Sequence, residues 1–205
     1  LRVPWITPWS SESSPPPPIV LRHGRGGSGI GYADEEPHVD RRDDVLWTRA
    51  AATPGVGRPH FAGIHSLRQR QAMTRMLCMI CGATTLGRPD ERHLFLVHTT
   101  QGEPIVEGER TAVPPVHEDC ARLAIRECPH LRRGWTAALV TYTPPWGVAG
   151  IVYDAKTLRP VPCRGDDRDS LEYVSYADDE RLRWVLAARE VITLHGVEPV
   201  DVASL

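Results

Sequence analysis

The chain has 205 residues, 41% of them hydrophobic, with a formal net charge of −2. That near-neutral balance argues against non-specific attraction to nucleic acid or to an anionic membrane, and no apolar run approaches the roughly 18 to 20 residues that cross a bilayer. With 19 prolines and 17 glycines, the core is expected to be small and broken by many turns.

Lys156 is the sole lysine, and the other basic residues are arginines. Such a bias reflects a GC-rich genome, so the abundance of arginine is not itself evidence of a binding site. The opening Leu1-Arg2-Val3-Pro4-Trp5 does not have the basic-then-apolar pattern of a signal peptide. The expected location is cytoplasmic, where the 5 cysteines serve as metal ligands or free thiols and not as disulfides.

Residues 1–60 read as an irregular proline- and glycine-rich arm, and residues 61–205 as a single α+β domain. In the arm, Ser10 to Ser14 and then Pro15 to Pro18 cannot form a helix. Ile19-Val20-Leu21 is short, and the run from Gly24 to Gly31 reads as a flexible loop. Gly24-x-Gly26-x-x-Gly29 matches the dinucleotide fingerprint in form only, because an acidic, Pro37-containing stretch follows where a phosphate-binding helix is required. Trp5, Trp9 and Trp47 are available to anchor the arm.

Regular structure is expected from Ser66, with Ser66 and Gln69 as a capping box and a helix running to about Met76. The Cys78-Met79-Ile80-Cys81-Gly82 motif follows directly. His93 to His98 predicts a strand, turning near Gln101-Gly102 into a weaker strand at Ile105-Val106. A helix is expected from about His117 to Glu127. Ala137 to Tyr142, Val148 to Tyr153 and Leu171 to Tyr176 read as strands. A long helix is expected over about Asp178 to Leu194, with acids in its first turn and Gly196 as its stop.

The chemistry concentrates in four residues. Cys78 and Cys81 flank a tight turn that Gly82 lets fold back, so both sulfurs can address one point. His117 and Cys120 have the same spacing in the first turn of a helix, where positions i and i+3 share a face. Knuckle, hairpin and a helix-borne ligand pair is the order of a treble clef. Three sulfurs and one imidazole fill a tetrahedron around structural Zn2+ and leave no open coordination position. Zinc would also supply folding energy that a small core lacks. Cys128 is a poorer alternative to His117, nearly two helical turns beyond Cys120, and reads as a small buried apolar residue. The expected fold is therefore α+β: a treble-clef zinc centre with a small antiparallel sheet, a packed C-terminal helix and an irregular N-terminal arm.

Several segments resemble a family of uncharacterised proteins encoded in high-GC bacterial genomes. They are Tyr32-Ala33-Asp34-Glu35, Val45-Leu46-Trp47, His65 to Met73, Leu77 to Gly82, Cys120-Ala121-Arg122-Leu123 with Cys128-Pro129, and Arg183 to Ala188. The resemblance covers most of the chain. The family tends to present cysteine where this chain has His117, a change that preserves zinc chemistry. It implies a metal site and no particular reaction.

Three functions compete. The first is a non-enzymatic interaction or regulatory protein, with a protein partner favoured and nucleic acid as the other option. Its candidate contact residues are Arg68, Arg70, Arg75, Arg122, Arg126, Arg132 and Arg133, set against a helix surface laced with Glu118, Asp119 and Glu127. The second is a ββα-type metal-dependent nuclease with His98 as general base and His93 nearby, a reading that lacks an acidic neighbour for a catalytic ion. The third is an accessory subunit of an enzyme complex, docking through the proline-rich arm. Other signals read as bland: Cys163 with His195 has no setting that would activate a thiol. The Asp166-Asp167-Arg168-Asp169 run is an acidic loop without the pattern of a calcium site.

Overall fold

The computed structural model describes residues 2–24, 26–163 and 171–205. The architecture is α+β. In chain order the elements are β1 (Ile19–Gly24), β2 (Gly27–Tyr32), α1 (Pro37–Asp40), β3 (Arg41–Arg42), β4 (Val45–Trp47), α2 (Ser66–Arg75), β5 (His93–His98), β6 (Arg110–Thr111), α3 (Glu118–Glu127), β7 (Trp135–Tyr142), β8 (Pro145–Val152), β9 (Glu172–Ser175), α4 (Asp179–Leu182), β10 (Val185–Thr193) and β11 (His195–Pro199). The Asp166 to Asp169 run lies outside the described residues.

The largest departure from expectation is at the C-terminus. The acids at Asp178 to Glu180 do start a helix, capped by the Asp178 side chain on the Arg181 N–H, but α4 ends at Leu182. Val185 to Thr193 is a strand instead of the packed C-terminal helix. Val185, Val191, Ile192 and Thr193 are β-branched and suit a pleated surface. Apolar residues fall on both faces because both are covered: Leu186 clusters with Ile30 and Tyr32, and Val185 and Ala187 with Trp47, Val148 and Leu182. Within the sheet β8 lines one edge of β10, while β4, in parallel, and β6, antiparallel, line the other. A strand buried on both sides has no alternation to distinguish it from a buried helix.

The six-stranded sheet has the order β3-β4-β10-β8-β9, with β6 also on β10. Close packing makes two of its glycines obligatory. A Cβ at Gly147 would meet the Val174 carbonyl oxygen at 2.1 Å, and one at Gly150 the Leu186 carbonyl oxygen at 2.3 Å. α2 lies against β10, and its N-cap is His65, whose ring accepts from the Arg68 N–H at 3.3 Å. The expected Ser66–Gln69 capping box is not formed, because the Gln69 side chain is buried in the sheet.

The smaller sheet has the order β11-β7-β5. β5 forms where expected but pairs with β7, from His93↔Val140 to His98↔Trp135. Ile105-Val106 is not a strand, and the local hairpin is replaced by this long-range pairing. β5 also touches the approach to α3 through the single bridge Leu94↔Val116. Leu194 is fully buried between β10 and β11, where the chain passes from one sheet to the other.

The stretch expected to be irregular also carries structure. β1 and β2 pair antiparallel from Ile19↔Tyr32 to Gly24↔Gly27, so the glycine run is a strand and not a flexible loop. Gly29 permits this: a Cβ there would lie 2.6 Å from the Arg183 carbonyl oxygen, which accepts from the Ile30 N–H at 2.8 Å. Val45-Leu46-Trp47 enters the large sheet as β4. Among the described residues no helix is long and apolar enough to cross a membrane.

Candidate metal centre

Leu77 and Thr84 form an antiparallel bridge just beyond α2, and the chain between them turns back on itself. The Cys78 N–H donates to the Ala83 carbonyl at 2.8 Å, and the Gly82 N–H donates to the Cys78 carbonyl at 2.8 Å. Gly82 adopts φ 76°, a left-handed conformation that favours glycine. This knuckle presents Cys78 and Cys81. Across from it, His117 is the extended N-cap residue of α3, and Cys120 sits in the helix's first turn. The Met79 N–H donates to the Pro115 carbonyl at 3.1 Å, joining the two ligand-bearing segments directly.

The ligand atoms of Cys78, Cys81, His117 and Cys120 all lie within 4.8 Å of one another. A tetrahedral zinc with bonds of about 2.3 Å to sulfur sets neighbouring sulfurs about 3.8 Å apart, so four ligands this close are compatible with one such ion. The His117 ring is already oriented. Its Nε2 lies 2.9 Å from the Thr84 carbonyl oxygen, which can only accept, so Nε2 carries the proton and the Nδ1 lone pair faces Cys81 Sγ at 3.3 Å. A carbonyl that fixes the tautomer of a histidine is the usual outer support of a metal ligand.

Cys78 is fully buried, Cys120 nearly so, and both belong to a core with Ile80, Leu94, Val116 and Ala121. Burial pushes the Cys120 thiol up to about 12, and the adjoining Cys78 and Cys81 sulfurs add to the rise. Burial opposes ionisation at Cys81 too, but hydrogen bonding from the Ala83 backbone and the Cys78 and Cys120 thiols outweighs it and lowers that thiol. Sulfur crowding of this kind is what a divalent cation at the centre would relieve. Cys128 is the C-cap residue of α3 and is not in the cluster.

The candidate contact arginines have different fates. Arg68 is buried, its guanidinium donating to both Glu12 carboxylate oxygens at 2.7 Å and to the Thr7 carbonyl at 2.8 Å. Arg70 stacks on the Trp47 ring, with Cζ 4.5 Å from the centroid. Arg122 pairs with Asp119 at 2.8 Å, and Arg126 with Glu127 at 3.7 Å. Arg75, Arg132 and Arg133 are exposed and have no ion-pair partner among the described residues.

The remaining candidates are not brought together as active sites. His98 packs edge-on against His130, with its Nε2 buried and without a hydrogen-bond partner among the described residues. The buried His93 bonds Thr85 at 2.9 Å. Cys163 donates to the Leu171 carbonyl, while His195 pairs with Glu107 at 2.8 Å, so the two are not partners. Sequence reasoning missed the Thr84 carbonyl, a backbone group with no residue signature, and the Glu12–Arg68 pair, whose partners are distant in sequence. Comparison with family models, curated proteins and solved structures finds no match to this chain.

Proposed function

We propose that the chain is a non-enzymatic, zinc-stabilised interaction protein. Cys78, Cys81, His117 and Cys120 hold structural Zn2+ in a treble-clef-like centre, with β5 and its bridge to Val116 standing where a full hairpin would be. The observation that carries the zinc reading is the His117 ring, held by the Thr84 carbonyl with its Nδ1 lone pair toward Cys81 Sγ and the other two sulfurs within 4.8 Å. Zinc bound by four protein ligands has no open position, so it supplies folding energy and does not activate water.

The interaction part rests on Arg132 and Arg133. They lie in the 3-10 turn Leu131–Arg133 shortly after α3, stay exposed and have no ion-pair partner among the described residues, with exposed Arg126 nearby in sequence. Exposed guanidinium groups on a hydrogen-bonded turn suit an acidic face of a partner protein. The nuclease reading has less support, because the buried Nε2 of His98 is not presented to a phosphodiester.

Two measurements test the proposal. Metal analysis of protein purified without chelator should give about one zinc per chain. Affinity capture should then be run with the unmodified chain and with an Arg132→Glu/Arg133→Glu double variant, alongside binding to duplex DNA. A protein retained by the first and lost by the second supports the reading. Capture of DNA alone moves the partner to nucleic acid, and identical capture by both forms sinks the role of these arginines.

A further inference from the structure

We propose that occupancy of the Cys78–Cys81–His117–Cys120 site governs the seating of the N-terminal strap, residues 5–12, making the strap a metal-responsive clasp. The inference rests on the zinc reading above and extends it to a conformational device.

The strap is tied to the knuckle at the residues between its two cysteines. The Trp5 N–H donates to the Ile80 carbonyl at 2.9 Å, and the Ile6 N–H to the Met79 carbonyl at 3.1 Å. The Trp5 ring lies over Gly82, where a Cβ would come within 2.8 Å of it. In the folded knuckle those two carbonyls face the strap and the Gly82 backbone lies open to the indole. Ile6 and Ile80 are both buried, so this end of the strap is part of the core.

The other end is anchored independently of the metal. Glu12 takes two bonds from Arg68 and one from the Thr53 N–H at 3.0 Å, while the His65 N–H donates to the Ile6 carbonyl at 2.9 Å. The strap is thus a bridge between a metal-dependent anchor and a fixed one. When the first anchor relaxes, the Trp5 and Ile6 N–H groups leave the knuckle carbonyls and the indole leaves Gly82, while the Ile6 carbonyl stays on His65. Thermodynamic linkage demands the converse: if metal seats the strap, the seated strap tightens metal binding by the same factor.

The test is hydrogen exchange read by mass spectrometry on the full chain, with zinc occupancy first established by native mass spectrometry. After zinc removal by a high-affinity chelator, amides of residues 5–7 should lose protection about tenfold or more while Val185–Thr193 keeps its own. A Trp5→Ala variant should bind zinc more weakly, by a factor in the range of about 5 to 150. Zinc bound but strap protection unchanged by its removal would overturn the clasp and leave the zinc reading intact. Strap and β10 losing protection together, or unchanged zinc affinity in Trp5→Ala, would also overturn it. Absence of zinc from the unmodified chain would overturn both.

Discussion

The side-chain amide of Gln69 bonds both backbone groups of Glu190: Oε1 accepts from its N–H at 2.9 Å, and Nε2 donates to its C=O at 2.9 Å. On this edge of β10, β4 reaches only to Ala187 and β6 begins opposite Ile192. The Gln69 amide stands in the gap and does what a strand's peptide group would do. Nε2 also donates to the Ala112 carbonyl at 2.7 Å, linking β10 to the chain that follows β6.

Replacing this amide should therefore be costly. Gln69→Ala leaves one N–H and two carbonyls short of partners in a fully buried place, at about 1–3 kcal/mol for each unsatisfied group. A loss of at least about 3 kcal/mol in urea denaturation is expected. Gln69→Glu should be no better, because a carboxylate cannot donate to two carbonyls. A Gln69→Ala variant within about 1 kcal/mol of the parent would mean that the gap tolerates opening.

The Glu12–Arg68 pair predicts an acid-sensitive strap. Hydrogen bonding from Arg68 holds the Glu12 carboxyl at about 2, against an ordinary value of 4.5, although burial opposes the shift. A depressed carboxylate contributes stability that is complete above its unfolded value and is lost as pH falls toward the folded one. The expected loss between about pH 4.5 and pH 2 is on the order of 3 kcal/mol. Glu12→Gln should flatten that part of the stability profile. Removing the whole side chain with Glu12→Ala takes away every acceptor of the buried guanidinium on that residue and should cost about 3–5 kcal/mol at neutral pH. Profiles of equal slope in Glu12→Gln and parent would refute the assignment.

How much of this was legible in the sequence depends on whether the signal was local. The Cys-x-x-Cys and His-x-x-Cys pairs name all four members of the cluster, because knuckle and helix-start geometry are set within a few residues. The α3 boundaries and the existence of β5, β7 and β9 follow from equally short patterns. What failed needed a distant partner. Val185 to Thr193 became a strand because β4, β6, β8 and Gln69 surround it. The 93–98 strand found β7 in place of its expected hairpin mate. Gln69 looked like a capping residue because nothing nearby reveals the gap that it fills, and Arg68 looked like surface until Glu12 folded over it.

The metal site separates ligand chemistry from support. His117→Cys keeps four ligands and should retain zinc, whereas His117→Ala removes one and should weaken binding by at least about tenfold. Chelation should lower the melting temperature of the parent and of His117→Cys, with a smaller effect on His117→Ala. Competition with a chromophoric chelator reads the affinities. Equal affinity in His117→Ala and parent would take His117 out of the ligand set and call for another donor.

Glu190 has the opposite pH signature to Glu12. Its carboxyl is pushed above 4.5, chiefly by burial; Oε1 accepts from Tyr176 at 2.8 Å, and Oε2 is buried without a hydrogen-bond partner among the described residues. Arg42 and Arg70 favour the charged form, Asp43 disfavours it, and desolvation prevails. A raised carboxyl binds its proton more tightly in the folded chain, so this group's stability contribution is complete below 4.5 and falls as pH rises toward the folded value. Glu190→Gln retains an acceptor for Tyr176 and removes the ionisation. The variant should match the parent near pH 4 and exceed it in stability near pH 8, as read by urea midpoints at about those values. A parent that stays ahead of Glu190→Gln at alkaline pH would mean that Arg42 and Arg70 compensate the buried charge after all.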